Sequence, residues 1–198
     1  MSAKHINKDF FISTNHQKVM SFLAKYSDAE FHEREIARKV GISFGSANKV
    51  LNELHSAEVL TRHQKGKMLF YSFNAEDPIL GAFKILISIA MLRPLVARLK
   101  AFASRVILYG SCAKGEDTSR SDVDLFVIAE EPEKAARIIG KFRFSQDFEE
   151  IALKPVILSP LELLRSEKFD REFLSLINEG IVLWEEMSNE TGIPGVPK

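Results

Sequence analysis

The sequence predicts an α+β protein in which two small folded parts are joined by an apolar helix. Three observations support this class. The first part combines helical periodicity with a hairpin pattern, the middle is apolar on more than one helical face, and the last part alternates apolar strands with helical segments. We therefore expect an N-terminal domain at 1–77, a connecting helix at 78–103, a C-terminal α/β domain with a mixed sheet at 104–187, and a flexible tail at 188–198.

Composition limits the classes of function. The 198 residues hold 27 Lys and Arg and 27 Asp and Glu, so the chain carries no strongly basic tail for non-specific binding of nucleic acid. A single cysteine excludes an intramolecular disulfide and fits a reducing compartment. Because the charged N-terminus lacks a long apolar run, we expect no signal peptide and a cytoplasmic location.

Two helical segments separated by a glycine turn open the N-terminal part. Within residues 32–40, the apolar positions recur at helical spacing. Gly41 ends this helix, and Ser43 can cap the next one. The second helix is expected over about 43–56. Its predicted buried positions follow the i, i+3, i+4, i+7 pattern: Ala47, Val50, Leu51 and Leu54.

A predicted hairpin follows, with strands at 59–62 and 68–73 and a basic loop at 63–67. The order helix, turn, helix, hairpin over about 10–73 resembles winged helix-turn-helix transcription regulators. This resemblance implies binding to double-stranded DNA, with the second helix in the major groove. The expected DNA contacts are the outward-facing Ser43, Ser46, Asn48, Lys49 and Asn52 on the helix and Arg62, Lys65 and Lys67 on the wing. The alternative is a protein-interaction module whose polar residues form an ordinary solvated surface.

The apolar middle segment carries helix-start signals, with Asp77 as N-cap and Pro78 at the first position. Charged residues interrupt it, so we expect no membrane span. Pro94 is expected to kink or divide the helix. A helix apolar on several faces requires burial on several faces, either between the two domains or against a second copy, and we expect a homodimer.

The most informative motif lies in the C-terminal part. An apolar strand at 105–109 ends at Gly110 and Ser111, and another at 125–128 follows Asp122 and Asp124. Residues two apart in a strand share a face, so the carboxylates would lie roughly 6–7 Å apart along the chain and repel each other. A Mg²⁺ ion whose shell is completed by substrate phosphates would relieve this repulsion, and the small Gly-Ser pair lets a phosphate approach the backbone. The alternative is a surface strand with two solvated aspartates.

Residues Gly110-Ser111, Lys114-Gly115 and the segment 121–125 resemble the minimal nucleotidyltransferases of the DNA polymerase beta superfamily, over roughly 100–185. The resemblance implies that Asp122 and Asp124 hold two Mg²⁺ ions and that Gly110, Ser111, Lys114 and Ser121 bind a nucleoside triphosphate. It also implies attack of an acceptor hydroxyl on the α-phosphate, with pyrophosphate leaving. The acceptor can be a protein, since such enzymes often act as antitoxins that modify a companion toxin.

One feature departs from that family. Its enzymes usually carry a third carboxylate on a later strand, where this chain has Lys154 beside Pro155, and the nearest acids are Glu149 and Glu150. This departure keeps two alternatives open: a transcription regulator whose degenerate domain senses a nucleotide, and an adaptor with neither activity. Cys112, next to the motif, is interpreted as a small filling residue rather than a reactive thiol.

Overall fold

The computed structural model describes residues 12–144, 151–165 and 171–186. It confirms the predicted α+β class. A three-stranded antiparallel sheet lies in the N-terminal part, and a four-stranded mixed sheet lies in the C-terminal part. The predicted tail at 188–198 and the acids Glu149 and Glu150 lie outside the described residues.

The elements alternate along the chain. The N-terminal part contains α1 (Asn15–Lys25), β1 (Phe31–His32), α2 (Glu33–Val40), α3 (Phe44–Ser56), β2 (Leu60–Lys65) and β3 (Met68–Phe73), and α4 (Pro78–Leu99) follows. The C-terminal part contains β4 (Ala103–Tyr109), α5 (Ser111–Lys114), β5 (Val123–Ala129), α6 (Pro132–Lys141), β6 (Leu153–Leu158), α7 (Pro160–Arg165), α8 (Arg171–Asn178) and β7 (Ile181–Glu185).

The predicted pair of helices and its turn are present. Gly41 ends α2 with a left-handed φ of 73°, a conformation that suits glycine because it lacks a Cβ. The Ser43 side chain accepts a hydrogen bond from the Ser46 amide and so caps α3. All four apolar residues predicted to be buried in α3 are buried. The assignment of this part to the winged helix-turn-helix class stays a prediction.

The hairpin differs from its predicted outline. The strands extend to Lys65 and Met68, so the turn contains two residues, Gly66 and Lys67, instead of the expected five-residue loop. Gly66 has φ 63°, as the first position of a type II′ turn requires. The polar run before it concealed the strand, because β2 lies at the sheet edge and its second half is exposed on both faces.

Helix α4 is continuous, so the predicted division at Pro94 is wrong, and the alternative of a kink there stays a prediction. Asp77 and Pro78 begin the helix as predicted, but it ends at Leu99, and Ala103 already belongs to β4. Pro94 removes one backbone donor. The helix tolerates this loss because Leu92 and Leu95, on either side of the proline, are fully buried and fix the flanking turns.

The same helix contributes to both hydrophobic cores. Leu80, Ile87 and Met91 pack in the N-terminal core, whereas Leu92 and Leu95 pack in the C-terminal core. The helix is therefore a structural member of both parts rather than a spacer, and the exact domain boundaries stay a prediction.

By length and composition α4 could cross a membrane, but half of its most apolar window is buried inside the protein. Its Lys84 is 6% exposed and is hydrogen-bonded within the fold. Burial of α4 in the two hydrophobic cores therefore accounts for its apolar composition. The cytoplasmic location stays a prediction.

The strand order of the C-terminal sheet is β6-β5-β4-β7. Strand β4 is antiparallel to β5 and β7, and β5 is parallel to β6. Because of this topology, the end of β4, the start of β5 and the start of β6 lie at one edge of the sheet. Helices α4 and α6 cover one face, and α7 and α8 lie over the other.

Candidate active site

The Gly-Ser motif and the second aspartate meet at that edge. Tyr109, the last residue of β4, pairs with Asp124 near the start of β5. Gly110 follows with φ 72° and ψ −155°, a combination that is essentially restricted to glycine. A Cβ atom at Gly110 would lie 2.5 Å from Asp124 Oδ2, so the glycine also provides the space that the carboxylate occupies. The sequence motif is thus assembled in three dimensions.

A lysine accompanies the two aspartates. Asp122 lies directly before β5, and its Oδ2 is 2.5 Å from Lys154 Nζ. In the parallel pairing of β5 with β6, Lys154 stands opposite Asp124. Lys154, at the position where the family resemblance predicts a third carboxylate, therefore lies beside the acid pair and supplies it with a positive charge.

The electrostatics follow from partial burial and this lysine. Burial raises the pKa of Asp124, the Lys154 ammonium opposes that rise, and the Asp122 carboxylate adds to it. Burial and the Asp124 charge raise the pKa of Tyr109. The hydrogen bond with Asp122 raises the pKa of Lys154, which keeps the ammonium charged. The Asp124 carboxylate thus lies in a place where an additional cation would be stabilising.

Two predicted nucleotide-binding residues make contacts within the protein. Lys114 Nζ lies 2.9 Å from Glu179 Oε2, although its side chain is 41% exposed. Ser121 Oγ accepts a hydrogen bond from the Thr118 amide at 2.9 Å and so shapes the loop before Asp122. Of the predicted phosphate-binding residues, Gly110 lies directly beside Asp124, and Ser111 follows it as the first residue of α5.

The segment that contains the Gly-Ser turn and the aspartate pair is similar to one known protein family. Residues 90–178 match the family model of the nucleotidyltransferase domain. The match begins inside α4 and ends at the last residue of α8, so it includes the whole site described above. It supports a nucleotidyl-transfer function in general. No curated protein matches the chain.

Two solved structures are similar to parts of the chain. NolR from Sinorhizobium fredii is 19% identical over 38% of this chain and 75% of that chain, with a TM-score of 0.32. A "putative nucleotidyltransferase" from Sulfolobus solfataricus is 12% identical over 53% of this chain and 86% of that chain, with a TM-score of 0.34. Both likenesses are too weak to carry an argument, and the support for nucleotidyl transfer in general comes from the family match.

Asp122 and Asp124 fit a magnesium ion that would share its shell with a substrate. Mg²⁺ is commonly held by one or two carboxylates together with substrate phosphates rather than by an all-protein cage. Asp122 and Asp124 supply two carboxylates. Within the described part of the chain, no three His, Cys, Asp or Glu side chains form a group that could hold a metal on their own. The donor set therefore suits an ion that arrives with a triphosphate.

Cys112 has the character of a core residue. Its side chain is buried, and its Sγ lies 3.5 Å from the Asp122 carbonyl oxygen. Burial, with smaller contributions from the Asp117 and Asp124 charges, raises its pKa to about 12. A thiol held neutral in this way is a poor nucleophile, in agreement with its interpretation as a filling residue.

A buried lysine behind the site was not recognised from the sequence. Lys84 Nζ donates to Ser27 Oγ at 2.8 Å and to the Asp117 carbonyl oxygen, which connects the N-terminal part, α4 and the loop leading to Asp122. Asp117 Oδ1 is buried without a hydrogen-bond partner, and burial raises the pKa of this carboxyl group. The available signal was a charged residue within an apolar run of the helix, which by itself argues only against a membrane span.

The predicted DNA-contacting residues of α3 do not share one orientation. Lys49 points to solvent with a side chain 76% exposed. Asn48 was expected to face outward, but its amide donates to Glu33 at 2.5 Å, and Glu33 is buried. Asn52 donates to the Asn48 carbonyl and accepts from Arg62 at 3.2 Å. These residues form a polar network between α2, α3 and β2, so the outward orientation predicted for Asn48 is wrong.

Other residues predicted to contact DNA also make hydrogen bonds or ion pairs within the protein. Ser43 and Ser46 hydrogen-bond to each other at the helix start, and Lys65 pairs with Glu30. Lys67 lies exposed in the two-residue turn. Phe44, 48% exposed at the first position of α3, was overlooked in the sequence.

Proposed function

We propose that the C-terminal part binds a nucleoside triphosphate with Mg²⁺ and transfers a nucleotide to an acceptor hydroxyl. The observation that supports this proposal is the packing of Asp124 Oδ2 against the Gly110 backbone, because this carboxylate, the proposed metal ligand, then lies beside a turn that has no side chain to obstruct a phosphate. The nucleotidyltransferase family match over residues 90–178 supports the same reaction class.

The roles follow from position. Asp122 and Asp124 hold the metal, and Gly110 and Ser111 offer the triphosphate a backbone free of side-chain obstruction together with a hydroxyl donor. When bound, Mg²⁺ supplies positive charge against the phosphate oxygens. The acceptor hydroxyl attacks the α-phosphorus, a new ester bond forms there, and the bond to the β-phosphate oxygen breaks to release pyrophosphate.

The acceptor is proposed to be a protein hydroxyl, for example on a companion toxin. The test is incubation of the protein, Mg²⁺ and each α-³²P-labelled triphosphate with cell extract and with purified candidate acceptors. Label should become covalently attached with wild type and not with Asp122→Asn. The exposed Glu133→Gln variant removes one charge in α6 and serves as the control. Absence of transfer from every triphosphate would contradict catalysis.

A second function is favoured by Lys154. Where a carboxylate would activate the acceptor, this chain places a lysine beside the acid pair, so the domain would bind a nucleotide as a signal. In this case ATP would be retained by the protein and recovered intact by chromatography after a long incubation with Mg²⁺. Release of pyrophosphate at a rate that depends on Asp122 would exclude the sensor function.

For the N-terminal part we propose binding of double-stranded DNA by a winged helix-turn-helix in a homodimer. Supporting features are the solvated Lys49 on α3 and Lys67 at the hairpin tip. Selection from a random duplex library, followed by anisotropy titration at moderate salt, tests this. A selected sequence with two related half-sites would support it, whereas equal weak binding to every duplex would favour a protein-interaction module.

A further inference from the structure

Lys154 lies in the cation-binding region of the site rather than at its margin. Its Nζ is 2.5 Å from Asp122 Oδ2, and its backbone is paired with Asp124 across β5 and β6. Both aspartates therefore face one ammonium group. A carboxylate oxygen occupied by an ammonium is a less available ligand for a metal ion.

The backbone holds this lysine in place. Pro155 follows it and pairs with Leu125, on a strand at the edge of the sheet where a proline costs no ladder hydrogen bond. A residue before proline is restricted to extended conformations, which matches the strand position of Lys154. The side chain is 66% exposed, so its ammonium can still turn from Asp122 toward a ligand in the solvent.

Charge sets the number of ions that such a site accepts. Asp122, Asp124 and Lys154 together carry a net charge of −1. One divalent ion brings the site to +1, which is favourable for a triphosphate, and two carboxylates with phosphate oxygens suffice for one ion. Counted without the triphosphate, a second divalent ion would raise the charge to +3, and it would have to lie close to the ammonium, which repels it.

We propose that Lys154 takes the place of one metal ion, so that the site binds a nucleoside triphosphate with a single divalent ion while the Lys154 ammonium contacts the phosphates. The proposal rests on the proposed function, because it presupposes that a triphosphate binds beside Asp122 and Asp124. It replaces the pair of Mg²⁺ ions expected from sequence resemblance by one ion and the positive charge of a side chain.

The experiment counts bound ions with Mn²⁺ as the probe. Free Mn²⁺ is measured by electron paramagnetic resonance during titration into protein with stoichiometric ATP. We expect one ion per chain for wild type and for Arg137→Asp, and two for Lys154→Asp, which adds a carboxylate. Arg137 lies on the exposed side of α6 and gives the same change in charge away from the sheet edge. Circular dichroism and melting confirm that each variant is folded.

A second readout measures ATP affinity in EDTA, where the ammonium is the remaining cation beside the acid pair. Lys154→Met should weaken metal-free binding roughly ten- to a hundredfold, as expected for loss of a charge-assisted contact, and Arg137→Met should leave it unchanged. Two Mn²⁺ ions on wild type with ATP bound would overturn the inference and leave the proposed function intact. Absence of ATP binding to wild type under any condition would contradict both this inference and the proposed function.

Discussion

Gly110→Ala tests the central geometry of the site. At φ 72° and ψ −155°, alanine is strained by about 1–3 kcal/mol. The added Cβ would also lie 2.5 Å from Asp124 Oδ2. Because that oxygen is the end of a rotatable side chain, the overlap is relieved by turning the carboxylate away. We expect the stability loss to come mainly from the backbone and the functional loss from the displaced Asp124.

The assay is urea denaturation combined with calorimetric titration of ATP and Mg²⁺. The free energy of unfolding should fall by about 1–3 kcal/mol, and nucleotide affinity should fall at least about tenfold as a metal contact is lost. Gly140→Ala, in α6 with open space around it, is the control and should be neutral or stabilising by up to about 1 kcal/mol. If Gly110→Ala matched Gly140→Ala in stability and bound ATP like wild type, the reasoning would be refuted.

Three further predictions concern other parts of the fold. Because burial raises the pKa of Cys112 to about 12, little thiolate forms at pH 9, and iodoacetamide should label native protein at least about tenfold more slowly than urea-unfolded protein. The stability due to the neutral thiol is complete below pH 9 and is lost as pH rises toward 12, and equal labelling rates would disprove the burial. Gly115→Ala places a Cβ against the backbone carbonyl of Gly81, which cannot rotate away, so melting should show a loss of at least about 3 kcal/mol. Gly41→Ala, equally left-handed but surrounded by open space, should lose only about 1–2 kcal/mol, and similar losses would argue against the close packing of α4 on α5. In DNA titrations over a range of salt, Lys67→Ala should reduce the slope of log affinity against log salt by about 1, and an unchanged slope would place the hairpin tip away from phosphate.

Local periodicity was sufficient for the elements whose core positions are close in sequence. The spacing of Ala47, Val50, Leu51 and Leu54 is a property of α3 alone, and the structure buries all four. Likewise, Asp77 and Pro78 mark a helix start without reference to the rest of the fold. The apolar strands on either side of Gly110 were also recognisable, because buried strands need continuous apolar runs.

Features that depend on distant partners were not predictable in this way. Asn48 has the character of an outward polar residue, but its acceptor is Glu33, fifteen positions earlier in the chain. Pro94 suggested a break, but burial of the neighbouring turns in the C-terminal core keeps the helix continuous. The two-residue strand β1 carries no periodic signal and exists because β3 offers an edge.

The candidate site also combines features that local sequence predicts with features that depend on distant partners. The residue types and spacing of Gly110, Ser111, Asp122 and Asp124 are sufficient by themselves to predict a phosphate and metal site. The contact between Lys154 and Asp122 depends on the parallel pairing of β5 and β6. The ion pair between Lys114 and Glu179 depends on where α8 ends. Neither could be derived from spacing, since sequence separation does not determine which strand edges meet.

Calorimetric titration of ATP, in Mg²⁺ and in EDTA, against wild type and the Asp122→Ala/Asp124→Ala double variant tests the account most directly. We expect Mg²⁺ to strengthen binding to wild type and the double variant to lose this metal dependence. Binding of equal strength to both proteins, or no binding of any triphosphate to wild type, would contradict a nucleotide site at the sheet edge.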